Sequence, residues 1–141
     1  MRKLRQNVPL LVLVAGLLAL TAWRWPRKAE TDVPHSPLRN FSAQTWDAQV
    51  LAAKQPVLVE FGATWCPVCR AESPLLDSLA KAVSGTAVVG KVDIDHDGPL
   101  AQRYGIQATP TLLVFKDGKV LKSFQGYTPD ATLRRALQDA R

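Results

Sequence analysis

One stretch of this chain restricts its fold more than any other: an apolar segment that leads into two cysteines and then into a helical pattern. Residues 57–61 (VLVEF) are apolar except for Glu60, which is typical of a central strand covered on both faces. Cys66 and Cys69, the only cysteines among the 141 residues, follow after a short connection. Beyond them, apolar residues recur at helical spacing: Leu75, Leu76, Leu79 and Val83. This order predicts an α/β domain with Cys66 at the N-terminus of a helix.

The residues before and after this stretch predict further alternating elements. Residues 42–54 predict a helix that is capped by Ser42 and buries Trp46 and Val50. Residues 87–94 are mostly apolar and predict a second buried strand that follows the CxxC helix.

The C-terminal part of the chain predicts a short helix, a hairpin and a final helix. The short helix falls in residues 97–105, and the final helix opens at residues 128–130. Strands at 112–115 and 120–124 flank the Asp-Gly pair at residues 117–118, a strong two-residue turn signal. The predicted order α-β-α-β-α-β-β-α gives a mixed sheet with helices on both of its faces.

The N-terminal part of the chain predicts a membrane segment. Residues 8–23 carry no charge and would span roughly 24 Å as a helix at about 1.5 Å per residue. This segment is long for the apolar region of a signal peptide, and no good A-x-A cleavage site follows it. We predict a basic tail at 1–7, an uncleaved transmembrane anchor at 8–23, a tether at 24–40 and a domain at 41–141. A cleaved signal segment and a buried core helix are the alternatives for residues 8–23.

The distribution of charge disfavours nucleic-acid binding. Residues 1–32 carry a net charge of +4 of the total of +6, which leaves +2 on residues 33–141. A nucleic-acid-binding protein should carry its basic charge on the folded domain.

The basic residues on the two sides of the apolar segment nearly balance in number, but such a short basic tail before the first apolar segment usually stays in the cytoplasm. We therefore expect a single-pass protein whose domain is exported.

The two cysteines have the spacing of a redox couple. Unpaired N–H groups and the dipole of a helix N-terminus favour the thiolate form of Cys66, which makes it the expected nucleophile. Cys69 lies one helical turn further on and can resolve a mixed disulfide formed by Cys66. The alternatives are a structural disulfide, a zinc site and copper delivery by two thiolates. Zinc needs about four ligands, and the only histidines are His35 and His96.

Residues 41–141 resemble the thioredoxin family. The matching stretches are VLVEFGATWCPVCRAESP, GKVDID, YGIQATPTLLVFKDGK and FQGY. Pro110 follows Cys66 by 44 residues, as in ordinary thioredoxins, which leaves no room for the central insertion of many membrane-tethered cytochrome-maturation reductases. The resemblance implies a thioredoxin fold and a thiol-disulfide oxidoreductase with a redox-active Cys66–Cys69 disulfide and no metal or organic cofactor.

The resemblance also implies a substrate-binding surface around the disulfide. Pro110 matches the family's cis-proline, and Thr109 before it takes the position that offers backbone hydrogen bonds to an extended substrate. Trp65 and Pro67 flank the nucleophile on the docking surface. Gly126 matches a glycine beside the substrate groove.

Two charged residues match a buried pair of the family. Glu60 occupies the position of the buried acid, whose pKa is raised by desolvation and which can take the proton of Cys69 through a water. Lys91 matches the lysine that accompanies this acid. Glutamate is longer than the usual aspartate, and a purely structural Glu60–Lys91 pair is the alternative.

The departures from the family bear on the direction of electron flow. Pro67-Val68 stands where ordinary thioredoxins have Gly-Pro, and Gly62 stands where they have an aromatic residue. Strong disulfide-forming oxidases of this fold usually carry a histidine in the dipeptide, so Val68 favours a reductase. An oxidase or isomerase, a redox-inert binding module and a metal-thiolate module remain as alternatives.

The expected partners follow from the compartment. The predicted substrates are disulfide-containing proteins in the periplasm of a bacterial-type inner membrane. No soluble reducing pool exists in an oxidising compartment, so the electron donor is expected to be a membrane-borne thiol reductant.

Overall fold

A computed structural model describes residues 37–141 of the chain. The predicted basic tail at 1–7, the transmembrane anchor at 8–23 and most of the tether lie outside the described residues. Within residues 37–141, no helix has the length and apolarity needed to cross a bilayer.

The described chain forms a five-stranded sheet and four helical segments. Their bounds are β1 (Arg39–Asn40), α1 (Asp47–Leu51), β2 (Val57–Gly62), α2 (Pro67–Ala82), β3 (Val88–Asp93), α3 (Gly98–Arg103), β4 (Thr111–Lys116), β5 (Lys119–Gln125) and α4 (Asp130–Asp139). The strand order is β1-β3-β2-β4-β5. β1, β3 and β2 are parallel, while β4 is antiparallel to both β2 and β5. This arrangement confirms the predicted mixed sheet.

Strand β2 is the centre of the fold, and all six of its residues are buried. Its side chains alternate between two cores because successive residues of a strand point to opposite faces. Leu58 packs in the first core with residues of α2 and α4, namely Leu76, Leu79, Leu133 and Leu137. Phe61 packs in the second core with residues of α1, α3 and β4, namely Val50, Leu100 and Phe115. Glu60 follows Leu58 by two residues and therefore faces α2.

The predicted helix over residues 42–54 is wrong in its extent. Only residues 47–51 are helical, with π-type hydrogen bonding, and Ser42 does not cap them with its side chain. Instead the Ser42 N–H donates to Oγ1 of Thr45, and the Thr45 N–H donates back to the Ser42 carbonyl. Trp46 and Val50 are buried as predicted. The segment is therefore fixed against the sheet by the burial of these two side chains and not by a regular, capped helix.

Strand β1 is an element that the sequence did not predict. Arg39 and Asn40 pair with Gly90 and Lys91 of β3, although both of their side chains are exposed. The pairing is made by backbone groups alone, so it leaves no apolar pattern in the sequence. The folded unit thus includes residues that were assigned to the tether.

The remaining elements agree closely with the predicted ones. Asp117 and Gly118 both have positive φ, of 50° and 74°, as the predicted two-residue hairpin turn requires. α3 ends just before Gly105, whose φ is 64°.

Candidate active site

The two cysteines form a disulfide beyond the C-terminal end of β2. Cys66 is the N-cap residue of α2, Pro67 is the first residue of that helix, and the Cα atoms of Cys66 and Cys69 are 5.3 Å apart. The Cys69 N–H donates to Sγ of Cys66 over 3.1 Å. The predicted position of Cys66 at a helix N-terminus is therefore confirmed. In the reduced protein this N–H would stabilise a thiolate on Cys66.

Two exposed apolar residues, Trp65 and Val68, are sequence neighbours of the buried cysteines. Both cysteines are only 3% exposed, whereas Trp65 is 60% and Val68 40% exposed. The indole N–H of Trp65 donates to Oδ2 of Asp95 over 2.9 Å, which fixes the ring beside the disulfide. Asp95 was not predicted to take part in the site. An exposed aromatic ring and an exposed aliphatic side chain at these positions are suited to the docking of an extended polypeptide.

The cis-proline and the predicted groove glycine meet at the same end of the sheet. The Thr109–Pro110 peptide is cis, as the resemblance implies. Pro110 directly precedes Thr111, which pairs with Phe61 near the end of β2. The Gly126 N–H donates to the Pro110 carbonyl over 2.8 Å. Thr109, Pro110 and Gly126 thus lie at the sheet end from which the Cys66 loop also leaves.

Glu60 and Lys91 form an ion pair beneath α2, in which Glu60 is fully buried and Lys91 is partly exposed. The two residues are register partners on the parallel strands β2 and β3, and Lys91 Nζ lies 3.3 Å from Glu60 Oε2. Lys91 also donates to Oγ of Ser73 on α2 over 3.1 Å. Neither Glu60 oxygen accepts a hydrogen bond of ordinary geometry from the described residues. Burial raises the pKa of Glu60, Lys91 opposes this rise, and the nearby Glu72 carboxylate adds to it.

Glu72 is a second buried acid that sequence reasoning missed. It is fully buried, and its Oε1 accepts the Thr128 N–H over 2.8 Å. Burial raises the pKa of Glu72, against the opposing effects of the Thr128 hydrogen bond and of Lys91. A signal for it existed, because Cys69, Glu72 and Leu76 follow one another at the spacing of a single helix face.

A cavity of about 400 Å³ opens beside Cys69. Gly62, Arg70, Ser73, Lys91 and Asp93 also line it. A Cβ atom on Gly62 would lie 3.2 Å from Sγ of Cys69 and 3.3 Å from Oε1 of Glu60. The long Glu60 side chain and the sulfur therefore take the room beside Gly62, which accounts for a glycine at this position.

These features define a class of site: a CxxC disulfide at a helix N-terminus, with a cis-proline at the same end of the sheet and a buried acid nearby. Within residues 37–141, no group of three or more His, Cys, Asp or Glu side chains is arranged to hold a metal ion. The family model described as Thioredoxin matches residues 37–139, and the chain belongs to the thioredoxin family.

Three relatives show the range of the similarity. The M-type chloroplastic thioredoxin of Zea mays is 43% identical over 90 residues, which cover 64% of this chain and 54% of the relative. Chloroplastic thioredoxin M4 of Arabidopsis thaliana is 39% identical over 99 residues, or 70% of this chain and 51% of the relative. Thioredoxin 1 of Synechococcus elongatus is 40% identical over 93 residues, or 66% of this chain and 87% of the relative. The chain thus spans about half the length of the chloroplastic relatives.

Proposed function

We propose that this chain is a thiol-disulfide oxidoreductase that reduces disulfides in protein substrates. The observation that carries the proposal is the Cys66–Cys69 disulfide at the N-terminus of α2 in a thioredoxin-family domain. The exposed Trp65 and Val68 beside it supply a surface for a polypeptide. Val68 supports the reducing direction, since it cannot stabilise a thiolate as a histidine would.

The reaction proceeds by two thiol-disulfide exchanges. The Cys66 thiolate attacks one sulfur of the substrate disulfide, a mixed disulfide forms, and the other substrate sulfur leaves as a thiolate that takes a proton. The Cys69 thiol then loses its proton and attacks Sγ of Cys66. The Cys66–Cys69 disulfide closes, and the second substrate sulfur leaves and is protonated. The substrate gains two electrons, and the two cysteines lose them.

Glu60 is the proposed acceptor of the Cys69 proton. Its Oε1 and the Cys69 sulfur both lie within about 3.3 Å of the place where a Gly62 side chain would begin. A carboxylate in this buried place, with its pKa raised by burial, is a stronger base than one in water. Lys91, whose Nζ lies 3.3 Å from Glu60 Oε2, opposes the rise in the pKa of Glu60 and so favours its ionised form. The proposed substrate surface comprises Trp65, Pro67, Thr109, Pro110 and Gly126.

The location and the electron donor are proposals that rest on residues 1–40. We propose a single-pass anchor at 8–23 in a bacterial-type inner membrane, a periplasmic domain and a membrane-borne thiol reductant that regenerates the dithiol. Protease added to intact spheroplasts should digest the domain. Protection of the domain until the membrane is broken would contradict this orientation.

The trapping variant Cys69→Ser tests the proposed function. Without the resolving thiol, Cys66 should accumulate mixed disulfides with substrate proteins, which mass spectrometry can identify after non-reducing separation. The matched control is Cys66→Ser, which keeps one thiol in the CxxC but should trap far less. Equal capture by the two variants would contradict the assignment of Cys66 as nucleophile, and no capture by a folded Cys69→Ser variant would count against a reductase.

A further inference from the structure

The cavity beside the disulfide is lined by Cys69, while Cys66 is not among the described residues that line it. Sγ of Cys69 is 3.2 Å from the point where a Gly62 side chain would begin, so the sulfur lies next to the part of the wall that Gly62 forms. The volume of about 400 Å³ falls within the range of about 300–1,000 Å³ that is usual for pockets that hold small ligands. A small molecule, but not a protein, can therefore approach the resolving cysteine from this side.

Arg70 gives the cavity a cation that can bind a carboxylate. The residue is exposed, and its Nη1 donates to the Thr64 carbonyl over 2.9 Å. A guanidinium has five N–H donors, and this hydrogen bond uses one of them. Lys91 also lines the cavity, but Glu60 lies 3.3 Å from its Nζ and offsets its charge.

Asp93 lines the cavity too, and its carboxylate is engaged within its own loop. Its Oδ1 accepts the Asp95 N–H over 2.9 Å, and its Oδ2 lies 3.0 Å from Nδ1 of His96. Arg70 is therefore the group that best suits an anionic ligand, because carboxylates form strong charge-assisted hydrogen bonds with guanidinium groups.

We propose that this cavity is an entry site for small thiols that carry a carboxylate, and that such a thiol opens the disulfide by attacking Cys69. The carboxylate pairs with Arg70, and the sulfur of the thiol faces Sγ of Cys69. The inference goes beyond the proposed function, because it concerns a small reductant and not a protein substrate. It gives the protein a second route to its dithiol form, separate from the membrane-borne reductant proposed above.

The reaction consists of two thiol-disulfide exchanges. The small thiol loses its proton to water and attacks Sγ of Cys69, a new S–S bond forms, and the Cys66–Cys69 bond breaks. Cys66 leaves as a thiolate that the Cys69 N–H, 3.1 Å from its sulfur, stabilises, and a more stable thiolate leaves faster.

A second molecule of the thiol completes the reduction. It loses its proton and attacks the sulfur of the first molecule, a small disulfide departs, and Cys69 leaves as a thiolate that takes a proton. Cys66 is protonated from water. The two small thiols lose two electrons, and the two cysteines gain them.

Reduction of the oxidised full chain by three thiols of similar size tests the preference for a carboxylate without any substitution. Mercaptoacetate is anionic, 2-mercaptoethanol is neutral and 2-aminoethanethiol is cationic. Each rate is divided by the rate of the same thiol toward a neutral small disulfide in solution, which corrects for nucleophilicity. Mercaptoacetate should exceed 2-mercaptoethanol by about 2- to 5-fold, the effect of one exposed ion pair, and the cationic thiol should be slowest. Equal or reversed rates would overturn the inference.

Arg70→Ala locates this preference. The variant should lose the advantage of mercaptoacetate, because the partner of the carboxylate is gone. The matched control is Arg135→Ala, which removes the same charge at an exposed arginine of α4 and should keep the advantage. An advantage that both variants keep, or that both lose, would mean that the overall charge attracts the anion, and the entry site would be refuted.

The sulfur that is attacked is identified in Cys66→Ser, where Cys69 is the remaining cysteine. The disulfide of mercaptoacetate should form a mixed disulfide with Cys69 of the folded variant, which mass spectrometry detects. Adding Asn40→Trp, at an exposed residue that lines the cavity, should slow this reaction. A Cys69 that reacts only after denaturation would overturn the inference. The Cys69→Ser trapping result is independent, so protein capture together with an inaccessible Cys69 would refute this inference alone.

Discussion

At the residue scale, Gly62 has the least spare room in the site. A methyl group there would meet the Cys69 sulfur at 3.2 Å and a Glu60 oxygen at 3.3 Å. We expect Gly62→Ala to lower the free energy of unfolding of the oxidised protein by about 1–3 kcal/mol, the usual cost of overpacking. Chemical denaturation measures this.

Gly98→Ala is the matched control for this substitution. A Cβ at Gly98 would have no neighbour within 4 Å, and the backbone there is not in the left-handed region. It should leave stability unchanged or raise it slightly. Equal stabilities for the two alanine variants would show that Gly62 is not required for space.

Also at the residue scale, the site residues that the sequence predicted are those whose amino-acid type itself indicates a chemical role. Cys66, Cys69 and Pro110 stand in the predicted geometry, and Glu60 meets Lys91. The partners that fix these residues were not predicted, because such contacts depend on where distant segments meet. Asp95 accepts the indole N–H of Trp65 and is 30 residues away in the sequence. Thr128 donates its N–H to Glu72 and is 56 residues away.

At the scale of elements, α1 is held to the sheet by one aromatic cluster. Trp46 contacts four other rings, those of Phe41, Phe61, Tyr104 and Phe115. Its indole N–H donates to the Tyr104 hydroxyl over 2.9 Å. This packing explains why the segment keeps its place with only residues 47–51 helical, an outcome that capping signals could not predict.

The Trp46–Tyr104 hydrogen bond provides a test of this packing. Tyr104→Phe keeps the ring but leaves the buried indole N–H without its acceptor, which should cost about 1–3 kcal/mol in the free energy of unfolding. Tyr127→Phe, at an exposed tyrosine, is the control and should change stability little. A Tyr104→Phe variant as stable as its control would mean that the indole finds another partner.

At the scale of the whole molecule, the two buried acids make stability depend on pH. Burial raises the pKa of both Glu60 and Glu72 above 4.5, the ordinary value for a glutamate side chain, so the folded state holds protons that the unfolded chain has lost. Stability should therefore fall as the pH rises from about 4.5 through the folded-state pKa values, and should level off above them.

Glu72→Gln should weaken this pH dependence. At pH values above the folded-state pKa of Glu72, the free energy of unfolding of the variant is expected to be higher than that of the parent protein, because the parent then holds a buried charge that glutamine lacks. The difference should shrink as the pH falls toward 4.5. Asp47→Asn, at an exposed position, is the control variant. A constant difference in stability between Glu72→Gln and the parent protein at every pH would contradict a raised pKa for Glu72 in the folded protein.

The architecture as a whole was accessible from the sequence, because the strand–CxxC–helix order and the Asp-Gly hairpin signal leave few alternative topologies. The pairing of Arg39 and Asn40 with β3 could not be predicted, because two exposed residues that pair only through backbone hydrogen bonds leave no hydropathy pattern in the sequence. The direction of electron flow is a further property of the whole protein, set by the relative stability of its oxidised and reduced forms.

A redox titration of the full chain tests the central claim most directly. The protein is equilibrated in thiol-disulfide buffers of fixed potential, free thiols are alkylated, and the alkylated cysteines are counted by mass spectrometry. We predict one reversible two-electron transition of Cys66 and Cys69, with a midpoint nearer to about −270 mV, as in thioredoxin, than to about −120 mV, as in a strong oxidase. A midpoint near the latter value would contradict the reductase, and the absence of a reversible transition would contradict a redox function altogether.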